Sequence, residues 1–448
     1  MSDAAPRRSL WVSGASSLAT GVLSIGLGLI SSVLIARGLG PGGRGGFDLM
    51  LTTANLLATL VGLALPAGVT YIVARGGASL PLLGRQLVGV IALQTLAAWA
   101  ALLLAIRLGL GAALLPPGEQ QRMIVLATAL VLLTQLTVCC RAALVGSQAI
   151  VRSNAIDLQI RIIFIVTVVA LLLGARASAI HLGGGELIMA QVAAMATGVL
   201  LLLGALRPIA VASAGGDDRL RQLLRYVPPI ALANLAQFLS YRIDVFFVSA
   251  FRDVSQVGYY TLATSLTQLI WLVPSAAAQV LLPSVAADAD SAAAQRRTAR
   301  VTRLVLWGGG GIGLALMLVA QWLIPLVYGA AFAPSVAPLR LLLPGIACYG
   351  VANVLNAYMA GSGNQRHTMT MAIVGLATIV ALDLLLIPPY GIEGAAIASS
   401  IAYTIIAAGL CLIFTRHSGI GLRALLIPNY DDLSLVGAAW RRISARKR

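Results

Sequence analysis

Charge is scarce in this sequence. Only 10% of its 448 residues are charged, where a soluble globule carries about a quarter. Lysine is nearly missing: Lys447 is the sole example, so almost every basic residue is arginine, as in chains from GC-rich bacterial genomes. The four cysteines, Cys139, Cys140, Cys348 and Cys411, all fall inside apolar runs and read as packing residues. No His or Cys pair stands at ligand spacing, which argues against a metal site or a disulfide framework. The three histidines, His181, His367 and His417, fall at helix ends or loops and read as solvated. A nucleophile elbow, a Walker loop and paired catalytic carboxylates are all missing, so the chain does not read as an enzyme. The net charge of +16 is not that of a nucleic-acid binder, because no basic domain with interleaved aromatics carries it.

What the chain has is apolar length. Hydrophobic residues make up 59% and the mean hydropathy is +0.92. The runs are helical in length, not the short alternating segments of a barrel, so the chain reads as an all-α polytopic membrane protein. Spans are expected at 10–36, 47–74, 84–109, 120–147, 154–175, 186–209, 226–250, 257–287, 301–328, 335–361, 366–388 and 392–415. That is about twelve helices, each able to cross a ~30 Å hydrocarbon core. Arg7 and Arg8 before the first run look like a signal peptide, but the run to Ala36 is too long and many spans follow. If the N-terminus is cytoplasmic, about two-thirds of the basic residues lie on that side, placing both termini in the cytoplasm.

The halves resemble one another. Arg141–Ile162, RAALVGSQAIVRSNAIDLQIRI, echoes Asn356–Gly375, NAYMAGSGNQRHTMTMAIVG. Ala36–Met50, ARGLGPGGRGGFDLM, matches Ala250–Ala263, AFRDVSQVGYYTLA, a charged turn with Gly leading into a helix. The expected organisation is an N-lobe at 1–209, a cytoplasmic linker at 210–225, a C-lobe at 226–415 and a basic cytoplasmic tail at 416–448. Two pseudo-symmetric six-helix lobes would be parallel repeats about an axis along the membrane normal, with a central cavity.

Polarity is concentrated in a few helices. In Asn234–Asp244, NLAQFLSYRID, the residues Asn234, Gln237, Tyr241 and Asp244 share one stripe, with Arg242 at its flank. Lipid solvates neither an amide nor a guanidinium, so this stripe must face protein or a watery cavity. Arg242 and Asp244 diverge by about 160° around the helix and do not read as partners. Ser13, Ser17, Thr20 and Ser24 line the first helix; Asp48, Thr52, Asn55 and Thr59 the second; Thr261, Ser265, Gln268, Ser275 and Gln279 the eighth. Such seams either line a cavity or serve close helix packing. Asp48 fits a cavity or the interface, and Asp383 fits packing or ion coupling. Arg161, one turn after Asp157, reads as a structural i, i+4 pair. Gly308–Gly313, GGGGIG, reads as a packing or flexing feature inside a span, and Gly42–Gly46 as a loop. The tail, with Trp440, Arg441 and Arg442, reads equally as an interfacial anchor or a disordered segment.

ARGLGPGGRGGFDLM, DVFFVSAFRDVSQVGYYTLATSLTQLIWLVPSAAAQVLLPSVA (Asp244–Ala286) and AYMAGSGNQRHTMTMAIVGLATIVALDLLLIPPYGIEGAAIASSIAY (Ala357–Tyr403) resemble the polysaccharide-flippase branch of the multidrug/oligosaccharidyl-lipid/polysaccharide exporter superfamily. The resemblance spans nearly the whole chain. It implies a bacterial inner-membrane transporter, working by alternating access, that moves an isoprenoid-diphosphate-linked oligosaccharide for exopolysaccharide, capsule or O-antigen-like polymers. It also implies that helices one, two, seven and eight line the cavity. Arg242, Asn234, Gln237 and Gln268 suit the anionic head, with Tyr241, Asp244, Asn55 and Asp48 nearby and Arg37 and Arg44 guarding the outer mouth. Expected partners are the lipid-linked substrate, membrane lipids, and the polymerase and glycosyltransferases of the same pathway. No cofactor is expected; coupling to H⁺ or Na⁺ stays open. The alternatives are a cation-coupled multidrug antiporter using Asp48, Asp244 or Asp383, a lipid II flippase, which usually has two more helices, and, last, a membrane polymerase.

Overall fold

The structure, a computed structural model, describes residues 7–62, 65–74, 80–178, 183–207, 218–288 and 291–429. The tail from 430 and the first half of the expected linker, 210–217, therefore lie outside the described residues, while 218–225 belong to a helix. Those residues form helices and turns, with no strand among them. In order they are α1 (Arg7–Gly62), α2 (Leu65–Ala74), α3 (Leu80–Arg107), α4 (Gly111–Leu114), α5 (Gln120–Gly146), α6 (Ile150–Ser178) and α7 (Gly184–Leu206). There follow α8 (Asp218–Phe251), α9 (Val254–Gln268), α10 (Leu272–Ala287), α11 (Ala292–Tyr328), α12 (Val336–Gly361), α13 (Gln365–Ser418) and α14 (Leu422–Leu426). Every expected span overlaps one of them. Among the described residues, eight helices have the length and hydropathy to cross a membrane, or nine with α9 and α10 taken as one broken span. The outside is as apolar as the inside: Val280 is 75% exposed and Leu326 73%. Water would not tolerate that surface, and lipid requires it.

Two of the helices are broken within. A straight 54-residue α13 would run about 81 Å, far beyond one bilayer. It breaks at Gly391, whose φ of 60° is open to glycine, just after Pro388 and Pro389. A Cβ at Gly394 would collide with the Leu386 carbonyl, although eight residues of straight helix span about 12 Å. The chain therefore doubles back, with Gly375 against Ile406 and Gly409 against Met371, and glycine lets the two arms close. α1 breaks likewise at Gly40, with a φ of 68°. Pro41 follows as the first residue of the next turn, where its missing N–H leaves no orphan. Gly42–Gly46, expected as a loop, is helical instead. α9 and α10 meet at a 45° bend. Pro274 removes a helical N–H there and its ring crowds the Ile270 carbonyl, leaving a tight turn at 269–271.

The chain forms two compact units, Met1–Gly258 and Tyr259–Arg448. The division lies later than the 210–225 segment where the sequence places it. α8 packs on α1 and α4, and the Ser249 hydroxyl donates to the Ala112 carbonyl at 2.9 Å. In the first unit Ile35, Phe47, Met50, Leu130, Val168 and Leu187 make the core, with Phe47 and Phe164 stacked at 5.8 Å. Here the two repeated segments meet: a Cβ at Gly45 would strike the Val254 carbonyl, and one at Gly258 the Pro41 carbonyl. In the second unit α12 packs against α10, α11 and α13. Trp271, at the α9–α10 bend, meets Tyr349 at 5.3 Å, and Tyr349 meets Tyr403 at 4.9 Å.

The glycine run of α11 packs on one face only, with Gly309 buried against Ile270 and Gly313 against Leu343. Nothing lies within 4 Å of a Cβ built at Gly308, Gly310 or Gly311. Gly310→Ala and Gly311→Ala should each stabilise the protein by about 0.5–1 kcal/mol, since alanine restricts the unfolded chain without a clash. A lower thermal midpoint in either variant would contradict this. Loss of transport at raised stability would mark the run as a flexing element.

Candidate functional site

Three of the hydroxyls in the polar seams are satisfied within their own helices. Thr52 donates to the Asp48 carbonyl at 2.7 Å, Thr59 to the Asn55 carbonyl at 2.7 Å and Ser265 to the Thr261 carbonyl at 2.6 Å. Such back-bonding is available to any buried Ser or Thr, so these residues demand no cavity. The amides and charges carry the diagnosis.

On α8, Asn234 and Gln237 are exposed, Tyr241 and Arg242 half-buried, and Asp244 is 3% exposed. Gln237 donates to the Tyr241 hydroxyl at 3.0 Å one turn on. Asp244 turns inward, its carboxylate accepting the Val245 N–H at 2.9 Å. Among the described residues Arg242 forms no ion pair with it, as the helical angle requires. Asn55 is also exposed, on the second arm of α1. An amide at the surface of a protein clad in Val and Leu faces water or protein, not hydrocarbon.

Arg44 is placed differently from Arg37. Arg37 is exposed, whereas Arg44 is 4% exposed and braces the α1 break. Its Nη1 donates to the Ser32 carbonyl at 3.0 Å and the Ser32 hydroxyl at 2.8 Å, and its Nε lies 3.4 Å from the Asp48 carboxylate. The i, i+4 spacing of Arg44 and Asp48 was the available signal for this pair. Gln268 belongs to the second unit, half-buried, where its carbonyl accepts the Trp271 N–H at 3.1 Å. Asp383 of α13 is fully buried in that unit. His367 and His417 face each other at 5.6 Å where the ends of α13 come together; His181 lies outside the described residues. Ser13 and Ser17 of the first seam likewise fall outside the described side chains.

Two arrangements escaped the sequence reading. Arg141 on α5 joins the Asp157–Arg161 pair, its Nη1 2.6 Å from the carboxylate, while Ser24 of α1 donates to the same carboxylate at 3.4 Å. The partners stand on different helices, so no local spacing announces them. In addition, a cavity of about 570 Å³ opens beside α4, lined by Pro116, Pro117, Gln120, Ser249, Arg252 and Asp253 among others.

The sequence profile of the family described as "Polysaccharide biosynthesis protein" matches residues 122–337, from α5 to the start of α12. The EPS I polysaccharide export inner membrane protein EpsE of Ralstonia nicotianae is 24% identical over 213 residues, 46% of this chain and 49% of that protein. The match thus spans about half the length of that curated relative. Among solved structures, the lipid II flippase MurJ in an inward closed conformation aligns with a TM-score of 0.68 at 15% identity. The alignment covers 92% of this chain and 90% of that one. An inward-facing MATE family multidrug transporter of the MOP superfamily aligns at 0.64 with 17% identity, over 89% and 95% of the two chains. At those identities the likeness is one of fold. Profile, export relative and fold point the same way as the resemblance carried by the sequence motifs: residues 122–337 are similar to the polysaccharide biosynthesis family, and the fold is shared with MurJ and with a MATE family transporter.

Proposed function

We propose that the protein is a flippase that moves an isoprenoid-diphosphate-linked oligosaccharide across the bacterial inner membrane by alternating access, for assembly of an exopolysaccharide, capsule or O-antigen-like polymer. The observation that carries this reading is the polar face of α8. Arg242, half-buried, shares a few turns with the exposed amides of Asn234 and Gln237. A diphosphate head bearing sugars needs a cation and hydrogen-bonding groups along its path, and its polyprenyl tail needs only lipid. The relative's description as an inner membrane polysaccharide export protein supports the same substrate class. The arginine asymmetry supports cytoplasmic termini, and the pathway's polymerase and glycosyltransferases would be the partners.

A second reading, cation-coupled multidrug antiport, is favoured by the two buried carboxylates, Asp244 and Asp383, at 3% and 0% exposure. Deleting the gene in its host separates the two. The flippase reading expects loss of surface polysaccharide and accumulation of its lipid-linked precursor, with unchanged tolerance of cationic dyes. Dye hypersensitivity with normal polysaccharide would favour the antiporter.

A further inference from the structure

We infer that Arg141, Asp157 and Arg161, with Ser24, form an anion-receiving site in the first unit, and that its ligand is a lipid-borne diphosphate. Asp157 and Arg161 lie on α6, and by the helical rise they sit about 10 Å and about 16 Å from its start. Arg141 stands on α5, five residues before that helix ends at Gly146. One carboxylate is shared by two guanidiniums: Arg141 Nη1 at 2.6 Å and Arg161 Nε at 3.2 Å. The cluster therefore keeps one positive charge in excess. Each guanidinium offers five N–H donors, and Asp157 engages Arg141 through Nη1 and Arg161 through Nε. The Arg141 and Arg161 side chains are 36% and 45% exposed, against 15% for Asp157.

Two arginines on one carboxylate also occur as buried structural triads, but these two are 36% and 45% exposed. Here two open forks stand on helices long and apolar enough to cross a membrane, and hydrocarbon cannot solvate them. An anion with several acceptor oxygens would satisfy both, since planar forks grip phosphate oxygens in pairs. The depth selects an anion that a lipid carries into the bilayer. Asp157 then holds the two forks apart and in place until the anion arrives. Ser24 ties the site to α1. The choice of diphosphate rests on the flippase reading; the cationic excess does not.

The sign of the Asp157 effect tests this. The full-length protein in nanodiscs would be titrated with radiolabelled farnesyl diphosphate, with inorganic pyrophosphate and phosphatidylglycerol vesicles as competitors. Arg141→Gln and Arg161→Gln should each weaken binding about tenfold, the loss of one charge-assisted contact. Arg161→Lys, which keeps the charge and the i, i+4 pair, should fold and still lose several-fold. Asp157→Asn should lower the thermal midpoint yet bind several-fold more tightly, because a competing carboxylate is gone. If all three neutral variants lose stability while binding is unmoved, or Asp157→Asn weakens it as the arginine variants do, the cluster is a structural ion pair. Pyrophosphate competing as well as the lipid would overturn the lipid-borne assignment. Wild-type transport run in parallel separates the two ideas. Transport with binding insensitive to these residues sinks only the site. A wild type that neither binds nor moves a diphosphate lipid sinks the flippase reading as well.

Discussion

Gly258→Ala is expected to cost at least about 3 kcal/mol, and the purified protein should lose its cooperative thermal transition or show it far lower. The new methyl group would sit on the Pro41 carbonyl, with the Gly45 N–H 3.1 Å away. Both are backbone atoms, so no side chain can rotate to make room; a whole helix would have to move. Gly45→Ala should behave alike, since its Cβ would meet the Val254 carbonyl and then the Gly258 N–H at 2.7 Å. Gly28→Ala is the control, with nothing within 4 Å of its Cβ, and should if anything raise stability by about 0.5–1 kcal/mol. Near-wild-type melting of Gly258→Ala would mean that the helices do not cross as closely as the structure has them.

The second large effect is on transport. Arg242→Ala should leave the fold intact, because the side chain is half-buried and pairs with no carboxylate among the described residues. If it holds the diphosphate, its loss removes charge-assisted hydrogen bonds of about 1.5–3 kcal/mol, or roughly a ten- to hundredfold drop in flipping rate. Arg242→Lys should recover part of that through charge alone. Unchanged transport in Arg242→Ala would remove this residue from the substrate's path.

The helices were legible in the sequence because each is a long apolar run, and length against bilayer thickness fixes the reading. The breaks were legible only in part. Glycines at 42–46 looked like a loop because their helix weakness was weighed without their packing value. Only the crossing with Val254 and Gly258 shows why a helix there must be made of glycine. Pro274 stood in plain sight, yet an apolar run reads through a single proline. The site residues divide in the same way. The stripe of Asn234, Gln237 and Tyr241 follows from helical periodicity, and the Gln237–Tyr241 bond realises it. Arg44, expected at the outer mouth, is buried against Ser32 and Asp48, and burial is not visible in a charged letter. Arg141 was missed because its partner lies 16 residues away across a turn.

The most direct test of the central claim is movement of a fluorescent undecaprenyl-diphosphate oligosaccharide between leaflets of proteoliposomes. Wild type should move it, Arg242→Ala should move it at least about tenfold more slowly, and Asp244→Asn should retain most of the activity. If the lipid stays where it is placed while an organic cation is extruded down a proton or sodium gradient, and Asp244→Asn abolishes that extrusion, the flippase account is wrong and the antiporter takes its place.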